Sequence, residues 1–295
     1  MISWSGYVKE GHIPSWLVKE KPIIALYGCF QTGKSTLINC LLGRYVALTG
    51  NGLATTALTA RYRYGTDEKT QYRRVDGSLS DITLEELNNK SSLSDVCSDG
   101  SFHIEARVPG DILEHCDIVD TPGFNSTNEE DTAVALGALE NIHYCLFVIP
   151  NDGLQNKDQE MLKMLSSRGV PISVIMNCRK YDTWLPSHPL NQEILSENQS
   201  WLVNNNINLL PLGGKKIFPC NALFYWSQQA DFEKSKAFVD KRGTLQKRIR
   251  KFLVDEDENY SAESVVALSE VPTLIESLKA KIRAYDPVTH SWRSD

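Results

Sequence analysis

One stretch constrains this chain more than any other. From Ile23 to Gly43 it reads I-I-A-L-Y-G-C-F-Q-T-G-K-S-T-L-I-N-C-L-L-G. Ile23–Tyr27 is an apolar run between Pro22 and Gly28, the pattern of a strand buried on both faces. Leu37, Ile38, Leu41 and Leu42 then recur at helical spacing. Between them, Gly28-Cys29-Phe30-Gln31-Thr32-Gly33-Lys34-Ser35 fits G-x-x-x-x-G-K-[ST], the phosphate-binding loop. The chemistry explains the spacing. Gly28 and Gly33 let the backbone wrap an anion with no Cβ in the way. Successive N–H groups then point at phosphate oxygens, and the helix N-terminus adds its positive dipole end. Lys34 supplies charge for the β- and γ-phosphates, and the Ser35 hydroxyl is placed to hold Mg²⁺.

The 295 residues suffice for one large or two ordinary domains, and an apolar fraction of 41% can fill a core. A formal charge of −6 gives no reason to expect nucleic acid as a partner. Seven cysteines stand singly, with no C-x-x-C, which suits a reducing cytosol and buried thiols and not a disulfide frame. The longest apolar run, Tyr144–Ile149, is far too short to span a bilayer. Any membrane contact is therefore expected to be peripheral.

Along the chain, residues 1–21 form an N-terminal arm. Trp4, Tyr7, Ile13, Trp16 and Leu17 serve there either as a packed arm or as a docking segment. A Gly- and Thr-rich loop begins at Ala47 and turns into a strand in which Leu58, Ala60, Tyr62 and Tyr64 alternate with polar residues. This is where a nucleotide-sensing switch belongs, provided that a Thr reaches Mg²⁺ and the γ-phosphate. Residues 66–100 read as a polar, irregular surface insertion with one short helix opened by Thr83-x-x-Glu86. Phe102–Val108 alternates as a strand, and Leu113–Asp120 leads into D-I-V-D-T-P-G. There Asp120 can reach Mg²⁺ through water, and the Gly123 N–H can sense the γ-phosphate.

Helices are expected over Asp131–Ile142, Lys157–Leu165, Gln192–Val203 and Phe232–Lys251. Strands are expected over Tyr144–Pro150, Pro171–Met176 and Ile217–Cys220. A last helix begins at Pro272, with Leu274, Ile275, Leu278 and Ile282 at core spacing. The basic Phe232–Lys251 helix is either a solvated face or a surface for a membrane or partner. Strands alternating with helices imply an α/β fold with a doubly wound, mainly parallel sheet and helices on both faces. Ligand then sits at the carboxyl ends of the strands.

The motifs resemble those of bacterial dynamin-like GTPases. G-C-F-Q-T-G-K-S-T-L-I-N-C-L-L-G is similar to that family's phosphate-binding segment, G-x-F-[NS]-[AS]-G-K-S-T-L-I-N-A-L-L-G. A-T-T-A-L-T-A-R-Y-R-Y-G resembles its first switch, which implies Thr56 as the Mg²⁺-binding threonine. V-P-G-D-I-L-E-H-C-D-I-V-D-T-P-G-F-N-S-T resembles the approach to the second switch. The likeness covers residues 22 to about 228, read as the G domain core, with 229–295 a helical segment closing it.

The resemblance implies GTP as substrate, GDP as product and Mg²⁺ as cofactor. Gly28–Thr36, with Gln31, Thr32, Gly33, Lys34, Ser35 and Thr36 among them, would cradle the phosphates. Ser35, Thr56 and Asp120 would serve the metal. The family's guanine reader is [NT]-K-x-D. Here M-N-C-R-K-Y-D offers Lys180-Tyr181-Asp182 with Arg179 where Asn or Thr is usual and Asn177 upstream. Either two residues are inserted or the reader is degraded. The fifth motif, usually S-A, is Asn221-Ala222.

No glutamine follows D-T-P-G, where Phe124 and Asn125 stand. In the family the work falls to position four of the phosphate loop, here Gln31, and to a dimer across the nucleotide faces. The catalytic set implied is Gln31, Lys34 and Thr56, in a nucleotide-dependent homodimer or with a separate partner protein. Two other functions compete: a GTP-switched binding module with little hydrolysis, and a P-loop ATPase with a degenerate base reader. The family's long helical stalk has no counterpart in these residues.

Overall fold

The computed structural model describes residues 21–29, 31–49, 59–74, 76–87, 104–121, 142–179, 183–235, 261–287 and 289–292. Its organising strand is β1 (Ile23–Tyr27), buried along its whole length. Such a strand must be covered on both faces, and it is. Ile24 and Leu26 point into a cluster with Leu37, Ile38 and Leu41 of α1 (Lys34–Leu42). Ile23, Ala25 and Tyr27 point into a second cluster, on the other face.

The remaining elements are built around it. β2 (Ala60–Tyr64) is followed by β3 (Lys69–Arg73), β4 (Leu79–Asp81), α2 (Leu84–Leu87) and β5 (Ile104–Val108). Next come β6 (Asp117–Asp120), β7 (Tyr144–Pro150), α3 (Asn156–Ser167), β8 (Ile172–Asn177), α4 (Pro189–Asn204) and β9 (Ile217–Cys220). The chain continues through α5 (Ala222–Trp226), α6 (Ala262–Leu268), α7 (Val271–Arg283), β10 (Tyr285–Asp286) and β11 (Ser291–Trp292).

The large sheet runs β4-β3-β5-β2-β6-β1-β7-β8-β9. The β6-β1-β7-β8-β9 half is parallel throughout. β2 pairs antiparallel with β6 and parallel with β5, and β3 runs antiparallel to β5 and β4. Residues of α1, α5 and α7 fill the first cluster, and those of α3 and α4 the second. This is the doubly wound α/β fold with helices on both faces. The chain leaves β6 on one side of β1 and re-enters as β7 on the other, which opens a crevice at the carboxyl ends of these strands.

The β7 and β9 bounds match the sequence pattern residue for residue, and α7 begins with Pro272 in its first turn, as expected. The stretch 66–100 needs correction. Its short helix is present with a reciprocal cap: the Glu86 N–H donates to Thr83 Oγ1 at 3.1 Å, and the Thr83 N–H to Glu86 Oε2 at 2.8 Å. Ahead of it the described residues are not irregular, because β3 and β4 pair antiparallel and extend the sheet. K-T-Q-Y-R and L-S-D carry one buried residue between them, Tyr72, so no apolar alternation announces them. Short, charged strands are how a sheet edge is blunted against unwanted pairing.

α6, ahead of the expected last helix, was also not legible as a separate element. The arm at 1–20, the helix expected over Asp131–Ile142 (to residue 141) and most of the basic Phe232–Lys251 segment lie outside the described residues. Among the described residues no helix is long and apolar enough to cross a membrane.

Candidate functional site

The crevice is floored by the loop from Gly28 to Gly33. Its glycines are fixed by packing as well as by dihedral angle. Gly28 has φ +148°, and a Cβ there would lie 2.2 Å from the Val148 carbonyl oxygen on β7. Gly33 has φ +91°, and a Cβ would meet Asn177 Nδ2 at 2.3 Å. Gln31, between them, holds φ +61° in the left-handed region, a conformation that costs a non-glycine residue roughly 1–3 kcal/mol. Its side chain is exposed.

Lys34 opens α1 and is buried. Its Nζ donates to the carbonyl oxygens of Gly28 at 2.9 Å and Cys29 at 3.0 Å. Burial lowers its pKa, while the nearby Asp120, Cys29 and Asp158 act the other way. The ammonium thus closes the loop on itself, within reach of the space an anion would enter. Thr32 Oγ1 donates to the Cys29 carbonyl at 3.1 Å and tightens the same turn. Thr36 is buried one turn further on.

Ser35 Oγ donates to Asp120 Oδ2 at 3.0 Å, which joins the start of α1 to the end of β6. Asp120 Oδ1 is buried and has no hydrogen-bond partner. Burial raises the Asp120 pKa to about 6, opposed by Lys34, the Ser35 hydroxyl and the Thr121 backbone. A buried carboxylate oxygen left unsatisfied is costly. Beside a serine hydroxyl it forms a hard-oxygen pair that fits Mg²⁺. Next in sequence, Thr121 Oγ1 donates to the Leu26 carbonyl at 2.7 Å and pins the root of the D-T-P-G turn to β1.

At the far end of the loop, Asn177 closes β8. Its Nδ2 donates to the Thr32 carbonyl at 2.8 Å, and its Oδ1 accepts the Ala222 N–H at 3.1 Å. One side chain therefore bridges the phosphate-type loop to the β9–α5 turn. Asn221 is buried beside it and committed elsewhere. Its Oδ1 caps α5 through the Phe224 N–H at 3.0 Å, and its Nδ2 donates to the Trp184 carbonyl at 3.1 Å.

Gly28, Gln31, Thr32, Gly33, Lys34, Ser35, Thr36, Asp120, Asn177 and Asn221 are thus brought to one end of the sheet. Thr56, Gly123, Lys180 and Asp182 lie outside the described residues.

Two features escaped the sequence reading. Asp158, buried at the third position of α3, accepts from the Cys29 thiol at 2.9 Å and from the Gln155 N–H at 3.0 Å. Burial, then Asp158, push the Cys29 thiol up to about 12. Gln155-x-x-Asp158 before an apolar run carried a capping signal that could have found it. The second is a buried amide network. Asn151 Nδ2 donates to Thr183 Oγ1 at 2.8 Å and Asn191 Oδ1 at 3.0 Å, while Asn191 Nδ2 donates to the carbonyls of Thr183 and Leu185. Isolated asparagines on a loop and a helix gave no signal of it.

The family model described as "Dynamin family" matches residues 24–178, just over half of the chain. The chain belongs to the dynamin family. The matched span takes in Gly28–Thr36, Asp120 and Asn177, and it stops just before Arg179.

Among curated members, "Dynamin-like protein 2" of Campylobacter jejuni is 35% identical over 138 residues, 46% of this chain and 22% of its own. A Caldicellulosiruptor protein, "Uncharacterized protein in xynA 3'region", is 26% identical over 259 residues, 83% of this chain and 60% of its own. A solved structure of an oligomerised bacterial dynamin pair, described in terms of long-range sensing and tethering of membranes, shares the fold. Its TM-score is 0.50 at 20% identity, over 90% of this chain and 37% of that one. The chain thus spans less than two thirds of the length of these relatives.

Proposed function

We propose that this chain is a dynamin-type G domain that binds GTP and hydrolyses it with Mg²⁺. The observation that carries the reading is the pairing of a buried Lys34, spent on loop carbonyls, with an Asp120 oxygen that has no partner. Both groups wait for charge of the opposite sign: phosphate for one, a cation for the other. Family membership supports the guanine nucleotide.

In this reading the N–H groups of Gly28–Thr36 and the Lys34 ammonium bind the phosphates. Ser35, Thr56 and Asp120 would hold Mg²⁺, which when bound neutralises charge on the β- and γ-phosphates. Gly123 senses the γ-phosphate. Asn177 ties the phosphate-type loop to the β9–α5 turn, Asn221 supports the same end, and Lys180 and Asp182 are the base-reading candidates. Gln31, exposed and held in a left-handed turn, is presented outward, as a group that acts across a dimer of nucleotide faces would be.

The test is a competition titration. GTP and GDP should displace a fluorescent guanine nucleotide at concentrations at which ATP does not, and Asp182→Asn should weaken GTP more than ATP. Equal displacement by ATP would replace the GTPase reading with an ATPase one. For assembly, scattering-derived mass should double with GDP plus a transition-state mimic and fall with GDP alone, and turnover per monomer should rise with protein concentration. A monomer in every state, with constant turnover, would remove the dimer and leave a timer that awaits a separate partner.

A further inference from the structure

The residue that follows the strand-end asparagine of a [NT]-K-x-D reader is the lysine that covers the base. Here that place is taken by Cys178, which is fully buried, with the Asn191 amide against its sulfur at 3.5 Å. Cys178 cannot face a ligand. The next side chain, Arg179, is exposed, and its Cδ lies 3.9 Å from where a Cβ on Gly33 would stand. Its aliphatic stem therefore lies alongside the phosphate-type loop, beside the bridge that Asn177 makes to Thr32.

The position is built from beneath. The Arg179 N–H donates to Asn151 Oδ1 at 3.0 Å, and its carbonyl accepts from Trp184 Nε1 at 3.0 Å. Asn151 is held by Thr183 and Asn191, and Trp184 by Asn221 and an edge-on contact with Phe224 at 4.8 Å. Asn151, Asn191, Asn221 and Trp184 are all buried. Burying that many polar groups is tolerable only when each is satisfied. Here their combined effect is to fix the backbone of one exposed arginine next to Gly33.

We propose that Arg179 is the residue that covers one face of the nucleotide base, with its stem and guanidinium stacked on the ring in the role usually filled by a lysine. A planar, weakly hydrated guanidinium suits a ring face, and cation–π attraction adds to the contact. This rests on the nucleotide reading above and adds which side chain stacks on the base.

The test uses the full chain with Arg179→Ala and Arg179→Lys, read by titration with GTP, GDP and inorganic tripolyphosphate. Arg179→Ala should weaken GTP and GDP by the same factor, about tenfold, and leave tripolyphosphate unchanged. Arg179→Lys should recover most of the loss. Because Arg179 is exposed, the thermal midpoint of the nucleotide-free Arg179→Ala protein should match wild type. A lowered midpoint, with Arg179→Lys failing to recover GDP binding, would make the residue structural and overturn the proposal. So would an unchanged GDP affinity, or an equal loss for tripolyphosphate, which would make Arg179 a phosphate counter-ion. Lys34→Ala in parallel separates the two readings. If it abolishes binding while Arg179→Ala does nothing, the nucleotide site stands and the base platform falls. If wild type binds neither GTP nor GDP, both fall.

Discussion

The two ends of β1 hold opposite kinds of polar chemistry. At the Ile23 end every named donor has an acceptor. The Ile23 N–H donates to His143 Nδ1 at 3.1 Å, Trp292 Nε1 donates to the His143 carbonyl at 3.0 Å, and the Tyr285 hydroxyl pairs with His290 Nδ1 at 2.9 Å. The rings of His143 and Tyr285 meet edge to face, 5.7 Å apart. At the Tyr27 end the loop keeps a buried ammonium, an unpartnered carboxylate oxygen and a left-handed Gln31. A strand that only had to be stable would resolve both ends as it does the first. The unresolved end is the one where a ligand would supply what is missing, and local disagreement of this kind marks functional positions.

The sharpest way to break the comparison is Lys34→Ala. It removes the charge on which the ligand-facing end depends, and GDP affinity should fall by about a hundredfold or more. The fold should survive, because a buried ammonium is costly to desolvate and its loss leaves only two loop carbonyls to rehydrate. Calorimetric titration and urea unfolding of the same variant measure both. Wild-type affinity in Lys34→Ala would mean that this end of β1 is not a phosphate site.

Asp120 gives a smaller effect with a definite sign. Its pKa is raised from 3.8 to about 6 by burial, so the folded protein keeps a proton there that the unfolded chain has released. The native state then binds more protons than the unfolded state between about pH 4 and 6, and its stability must fall as pH rises through that window. The expected loss in the ligand-free protein is on the order of 2–3 kcal/mol. Asp120→Asn should remove this component, so that the difference between urea midpoints at pH 4.5 and 6.5 shrinks relative to wild type. The same difference in both proteins would show that Asp120 is not the strained group.

The contrast also explains what could be read in the sequence. β1 and β7 are central strands, and β9, though last in the sheet, is buried along its length, so their apolar runs are continuous and their bounds legible. Gly28, Gly33, Lys34, Ser35 and Asp120 stood out because the phosphate-loop and D-x-x-G patterns fix both residue type and spacing. β3 and β4 were not, because an edge strand with one buried tyrosine has nothing periodic to show. The Asn151–Asn191–Thr183 network and the Cys29–Asp158 pair were not, because each joins residues apart in sequence through single hydrogen bonds, and β10 and β11, two residues each, are too short to show a period. A single sequence records the partners of such bonds but not their pairing. The exposed Arg179 belongs with these: only the burial of Cys178 shows which side chain faces outward.

The smallest effect tests whether the two ends are independent. Trp292 is half-buried, 4.9 Å from the Tyr144 ring and 4.7 Å from the Tyr285 ring. Trp292→Phe keeps an aromatic ring against both and deletes one hydrogen bond, the indole N–H to the His143 carbonyl. A neutral hydrogen bond of this kind is worth about 1 kcal/mol, and the His143 carbonyl stays near enough to the surface to find water. Urea unfolding should show that loss. GDP affinity should be unchanged, since the Ile23 end has no group in common with Lys34, Asp120 or Asn177. A change in GDP affinity alongside the loss of stability would mean that β1 transmits the state of the C-terminal hairpin to the loop at Gly28. The two ends would then be one coupled device, and the division of labour along the strand would have to be given up.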